Sequence, residues 1–287
     1  MQSPPIKMKP ENRPDVFHYH DLVNFLNDWF TFLRKTRSDF NARNFAQQSG
    51  VALGYMNMIL SRQRPLSEKA FLKIIPHLSL ASDEQTFLNL LRTLGQSEDS
   101  NSRLTALNEM MKFKKFKVTN KKENRAYEYL TKWYYAAIYE MFNLDSFQHD
   151  AKWIQRQLKK KVALSEVEQA LSFLKDHNFV RQNSDGKWSQ ASAHVDCTEG
   201  IFKISLAEFH KQMLNLAHDS IHSANRDERY IMGQTMAISR ENFDQIKQII
   251  QQAIKQINEV NKNLSPKENV YQIEIAAFPL LHMSEEK

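Results

Sequence analysis

Apolar residues recur at helical spacing along most of the chain. Between 19 and 36, Leu22, Val23, Phe25, Leu26, Trp29, Phe30 and Leu33 form one such stripe. Shorter helices are predicted over 42–48 and 53–60. Ser67 is placed to cap a fourth helix reaching 78, with Phe71, Ile74 and Ile75 inside. Ser82 is placed to cap a fifth, with Phe87, Leu88, Leu90, Leu91 and Leu94 inside. Gly95 and the polar run after it close this group. A lysine-rich connection follows, with Met110, Met111, Phe113 and Phe116 interspersed.

Beyond it the pattern predicts an aromatic helix over 127–142 and helices over 151–160 and 165–177. Segments 179–181 and 187–189 flank Asn183-Ser184-Asp185-Gly186, a hairpin turn signal. Three helices followed by a hairpin is the order of a winged helix. Residues 204–223 read as helix and 230–238 as extended. Ser239 is placed to cap a long amphipathic helix to 261, whose stripe Phe243, Ile246, Ile249, Ile250, Ile254 and Ile257 is expected to pack largely within its own domain. Residues 269–278 alternate as a strand. Tyr271 and Phe278 then face opposite ways, one toward a core and one toward an interface.

The fold expected is therefore mainly α: a five-helix helix-turn-helix head, a winged-helix middle domain and a small α+β C-terminal domain. The boundaries are a disordered N-terminus at 1–18, the head at 19–97, a basic linker at 98–126, the winged helix at 127–195 and the C-terminal domain at 196–287.

Composition narrows the function. The 287 residues are 41% hydrophobic and 25% charged, the profile of an ordinary globular protein. Six glycines disfavour glycine-rich phosphate-binding folds. No run approaches a membrane span, and the N-terminus lacks an apolar signal core, which points to a cytoplasmic protein with no membrane contact. The single cysteine, Cys197, allows no internal disulfide and has no adjacent basic residue to activate it as a nucleophile. The net charge of +6 is uneven. Residues 34–73 hold eight basic and two acidic residues, and residues 112–161 hold thirteen and five. Two basic islands in an otherwise acidic chain point to polyanion-facing surfaces.

The first island contains the most specific pattern. A helix-turn-helix needs a small residue where its helices cross, a glycine in the turn and apolar residues that lock the second helix down. Ala46, Gly50, Val51, Met56 and Ile59 occupy those places. The groove-facing positions are then Ala52, Leu53, Gly54, Asn57, Met58 and Ser61. Only Asn57 and Ser61 can hydrogen-bond to bases, so direct readout is thin, and phosphate contacts or DNA shape supply more of the selectivity. Arg62 and Arg64 follow where phosphates would lie, with Arg43 on the first helix of the pair.

The second module differs. Its recognition helix would begin Ser165-Glu166-Val167-Glu168, and carboxylates repel phosphate, so packing or dimerisation is the expected role. Lys159, Lys160, Lys161 and Lys187 leave a secondary DNA contact open. His218 and His222 could share a helix face with His210 upstream, but no acidic or cysteine partner is fixed by spacing, so no metal is expected. Glu228 and Arg229 read as an ion pair. No Walker loop, nucleophile elbow or paired-carboxylate pattern is present, so no enzyme activity and no cofactor is expected.

Nearly the whole chain resembles an uncharacterised bacterial family of predicted xre-type helix-turn-helix regulators with a C-terminal domain of unknown function. The residues that carry the resemblance are Gly50, Arg62-Gln63-Arg64-Pro65-Leu66-Ser67, Phe87-Leu88-Asn89-Leu90-Leu91, Phe209-His210-Lys211-Gln212-Met213, Glu228-Arg229-Tyr230, Val270-Tyr271-Gln272 and Phe278-Pro279-Leu280. Members of that family often have Gly-Lys-Arg where this chain has Arg62-Gln63-Arg64. The resemblance implies a transcriptional regulator binding double-stranded DNA. The expected assembly is a homodimer held by the middle and C-terminal domains, with a protein partner possible through the latter. The alternative is a protein-interaction adaptor that uses a degenerate helix-turn-helix as a docking surface.

Overall fold

The computed structural model describes residues 13–38, 40–191, 199–262 and 266–281. They are mainly helical, with thirteen α-helices and one two-stranded sheet. No described helix is long and apolar enough to cross a membrane. The described residues form two compact units, one drawn from Met1–Thr131 and Val195–Glu208, the other from Lys132–His194 and Phe209–Lys287.

The first unit is built on α1 (Leu22–Thr36). The Asp21 carboxylate accepts from the Asn24 amide and caps it. Eight of its fifteen residues are buried. Around it lie α2 (Ala42–Ser49), α3 (Leu53–Leu60), α4 (Glu68–Ile74) and α5 (Ser82–Gln96). Ser67 caps α4 through the Ala70 amide, but Pro76 tightens the next residues into a 3-10 turn, Ile75–His77. Ser82 does not cap α5. The N-cap is Ala81, and Glu84 reaches back to accept from the Ala81 amide at 2.8 Å.

Two expectations fail here. Residues 13–18 are ordered: Val16–His18 is a 3-10 turn, Val16 and Phe17 are buried, and Phe17 packs on Phe87 at 4.8 Å. Residues 1–12 lie outside the described residues. The basic linker is instead α6 (Ser100–Met110), α7 (Lys114–Thr119) and α8 (Lys121–Leu130). Its interspersed apolar residues are the reason. Leu107, Met110 and Phe116 are fully buried in the same core, and the Asn120 amide donates to the Phe17 carbonyl at 2.8 Å. Ile201 and Ile204, from the start of α12 (Glu199–Ser223), join that core.

In the second unit, α9 (Trp133–Met141), α10 (Ala151–Gln157) and α11 (Leu164–Asp176) precede β1 (Val180–Gln182) and β2 (Trp188–Gln190). The strands pair antiparallel, Arg181 opposite Ser189, across a turn that Gly186 closes with φ +81°. Tyr135, Phe173 and Phe179 form the core of this group, with ring centroids 5.0 and 5.7 Å apart. The single aromatic helix expected over 127–142 is two helices. α8 ends at Leu130, Thr131 donates its hydroxyl back to the Tyr127 carbonyl, and Lys132 is extended.

The rest of the second unit departs furthest from expectation. Ser239 caps α13 (Arg240–Asn261) as expected, yet no residue of α13 is buried. Residues 230–238 and 269–278 form no strand among the described residues, so an α+β domain is not formed there. Neither Tyr271 nor Phe278 enters a core.

Arg13 and Glu84 form a bidentate pair, both bonds at 2.6 Å, with the Arg13 guanidinium over the Trp29 ring. Burial pushes the Glu84 carboxyl up, but Arg13 and the Ala81 amide outweigh it and hold it below its ordinary value of 4.5. A depressed carboxyl stabilises the fold above the unfolded-state pKa and loses that contribution as pH falls through the folded one. Glu84→Gln is expected to cost on the order of 2 kcal/mol at neutral pH and to flatten the loss of stability below about pH 4.5, as read by urea unfolding at several pH values.

Candidate nucleic-acid interface

The turn between α2 and α3 is set by Gly50, whose φ of +62° is left-handed. That conformation lets the Val51 amide close back on the Ala46 carbonyl at 3.0 Å and the Gly50 amide on Gln47. Ala46, Val51, Met56 and Ile59 are buried, so the inward face of α3 is locked as the sequence requires. The outward face carries Ala52, Gly54, Asn57, Met58 and Ser61 exposed, with Leu53 half-buried. α3 has no side-chain cap at its N-terminus, so its first amides are left to a partner or water. The Ser61 hydroxyl donates to the Asn57 carbonyl at 2.8 Å, which leaves Asn57 as the outward side chain best equipped for a bidentate contact.

The loop after α3 is held more firmly than its sequence indicates. Tyr55 donates its hydroxyl to the Pro65 carbonyl at 2.9 Å and accepts from the Ser67 amide at 3.1 Å. Tyr55 escaped the sequence reading; its place one turn after the glycine was the available signal. Arg62 does not stand ready for phosphate. Its guanidinium clamps Asp21 at 2.7 and 3.0 Å and Asn24 at 2.9 Å. The same Asp21 carboxylate thus caps α1 and anchors the end of α3. Burial pushes Asp21 up, but Arg62 and the Asn24 amide hold it below its ordinary value. Arg64 and Arg43 are exposed and make no ion pair among the described residues. Lys73 donates to the Gly50 carbonyl at 3.2 Å.

The secondary basic corner is partly occupied. Lys159 pairs with Glu228 at 2.9 Å and Lys160 with Asp219 at 3.1 Å, while Lys161 and Lys187 are exposed. Glu228 therefore pairs with Lys159 rather than with Arg229. Glu166 accepts from the Ala163 amide at 2.9 Å and from the Tyr134 hydroxyl at 3.4 Å, so its carboxylate serves the start of α11. His210 meets Glu274 at 2.7 Å. No group of three or more histidine, cysteine or acidic side chains comes together among the described residues, and Cys197 lies outside them.

Arg62 has a left-handed backbone, φ +62°, a region that favours glycine. Arg62→Gly removes that strain together with the clamp, whereas Arg62→Ala removes only the clamp. The glycine variant is expected to be more stable than the alanine variant by about 1 kcal/mol, as measured by urea denaturation.

No curated protein and no solved structure matches the chain. Residues 111–280 match a family described as a domain of unknown function, DUF4423. The match takes in α7 to α13 and the hairpin and leaves α1 to α6 outside it. It spans more than half of the chain, which therefore belongs to the DUF4423 family.

Proposed function

We propose that this protein is a DNA-binding transcriptional regulator and that α2, the Gly50 turn and α3 form its helix-turn-helix. The observation that carries the reading is the division of α3 into a locked inner face and an open outer one, beside two exposed arginines. In this reading Asn57 meets a base edge, Leu53 and Met58 offer apolar contact to thymine methyls, and Arg43 and Arg64 neutralise phosphates. Arg62 acts by positioning the loop, which moves the phosphate role toward Arg64. The uncapped amides of α3 add a dipole favourable to phosphate.

The helix–hairpin group of the second unit is read as a winged helix with a packing role, since Glu166 is engaged locally and two of its lysines are paired. Lys161 and Lys187 remain for a secondary contact. Residues 196–287 supply dimerisation or effector response. The reading assigns no catalytic residue, metal or cofactor and places the protein in the cytoplasm. A second reading, an adaptor that docks protein on α3, is favoured by one feature, the exposed apolar Met58.

Arg43→Ala with Arg64→Ala is expected to weaken binding to every duplex alike and to lower the slope of log affinity against log salt by about two. Asn57→Ala is expected to relax sequence preference by about 1–3 kcal/mol at one base pair. Fluorescence anisotropy with mixed and single-substituted duplexes reads both. Unchanged affinity in the folded double variant, with protein capture lost in a Met58→Glu variant, favours the adaptor.

A further inference from the structure

Thirteen of the eighteen large apolar side chains that stand exposed among the described residues lie between Tyr230 and Leu281. Their arrangement is regular. Tyr230, Met232, Met236 and Ile238 stand at alternate positions of one segment outside the helices, and Tyr271, Ile273 and Ile275 at alternate positions of another. Such alternation belongs to a half-buried strand, yet no backbone ladder joins either segment to other described residues. Between them α13 carries a stripe in which Phe243, Ile246, Ile250, Ile254 and Ile257 are only half-buried and Ile249 is exposed.

Size and charge together say what covers this surface. The thirteen side chains are 41–85% exposed. At roughly 150–250 Å² for a large ring, with aliphatic side chains near the lower figure, they leave on the order of 1,000 Å² of apolar area. The largest patch on a typical monomer is about 300–600 Å², and a stable interface takes about 800 Å² from each partner. The total therefore reaches what one partner contributes to a stable interface. Residues 229–281 hold six basic and five acidic side chains. That balance gives no attraction for a polyanion and no repulsion between two copies. An unpaired edge is also its own complement, because a second copy brings the same donors and acceptors under two-fold symmetry.

We propose that residues 230–238, α13 and residues 269–281 form an interface covered by a second copy of this chain. The extended segments of each copy pair with the partner to form the sheet that one chain lacks, and the α13 stripe is buried beneath it. This assembly is independent of what α3 binds.

The test is the mass of the full chain by light scattering at micromolar concentration, with amide hydrogen exchange on the same sample. The expected mass is twice 33.7 kDa, with slow exchange across 230–238 and 271–278. Ile250→Glu with Ile273→Glu is expected to halve the mass while keeping the helical circular dichroism of the rest. A wild-type chain of single mass overturns the proposal. So does a folded double variant that stays dimeric, or rapid exchange in either segment of the wild-type dimer. If the variant fails to fold, wild-type mass and exchange decide alone.

Discussion

Trp29 is fully buried, and its indole N–H donates to the Leu78 carbonyl at 3.0 Å. The ring stacks on Phe25 and meets Phe32 on its own helix, while the Arg13 guanidinium covers it from outside. Displacing the ring would orphan a buried donor, at a cost of about 1–3 kcal/mol, and open a cavity the size of an indole, at about 3–5 kcal/mol. The rest of the first unit takes its position from this helix. Phe30 packs edge-on against Phe45 of α2 at 4.9 Å. The Asn27 amide donates to the Leu60 carbonyl at the end of α3, and Asp21 holds Arg62 one residue beyond Ser61. The inner face of α3 is thus tied to α1 by packing and its C-terminal end by hydrogen bonds. An outer face held on a rigid support is what recognition of a duplex requires.

Much of this was legible in the sequence because it is local. A left-handed turn needs glycine, and Gly50 is there. Ser67 and Ser239 cap the helices that follow them, and the glycine of Asp185-Gly186 closes the hairpin. What could not be read depends on distant partners. The role of Arg62 is decided by Asp21, 41 positions away, and no spacing rule links the two. The cap of α5 comes from a glutamate within the helix rather than from the serine at its start. The aromatic helix breaks at Thr131 and Lys132 with neither glycine nor proline to mark it. The lysines of 112–122 masked a buried stripe, because charged side chains on one face say nothing about the apolar residues between them.

The strands expected after residue 229 are a different kind of miss. The alternation is in the sequence, but Tyr271 and Phe278, expected on opposite faces, are both exposed. A strand is defined by its ladder, however, and one chain supplies no second edge for these segments among the described residues. The two surfaces of the molecule therefore separate by chemistry. The outward face of α3 is small, weakly apolar and flanked by arginines. The surface after residue 229 is large, apolar and close to neutral.

The central claim is that the outer face of α3 and its flanking arginines hold a DNA duplex. The most direct test is the affinity of the full wild-type chain for a mixed-sequence duplex between about 50 and 200 mM salt. The account predicts a linear fall of log affinity with log salt, with a slope of about −0.9 for each phosphate contacted. Absence of binding at the lowest salt, or binding indifferent to salt, would contradict it.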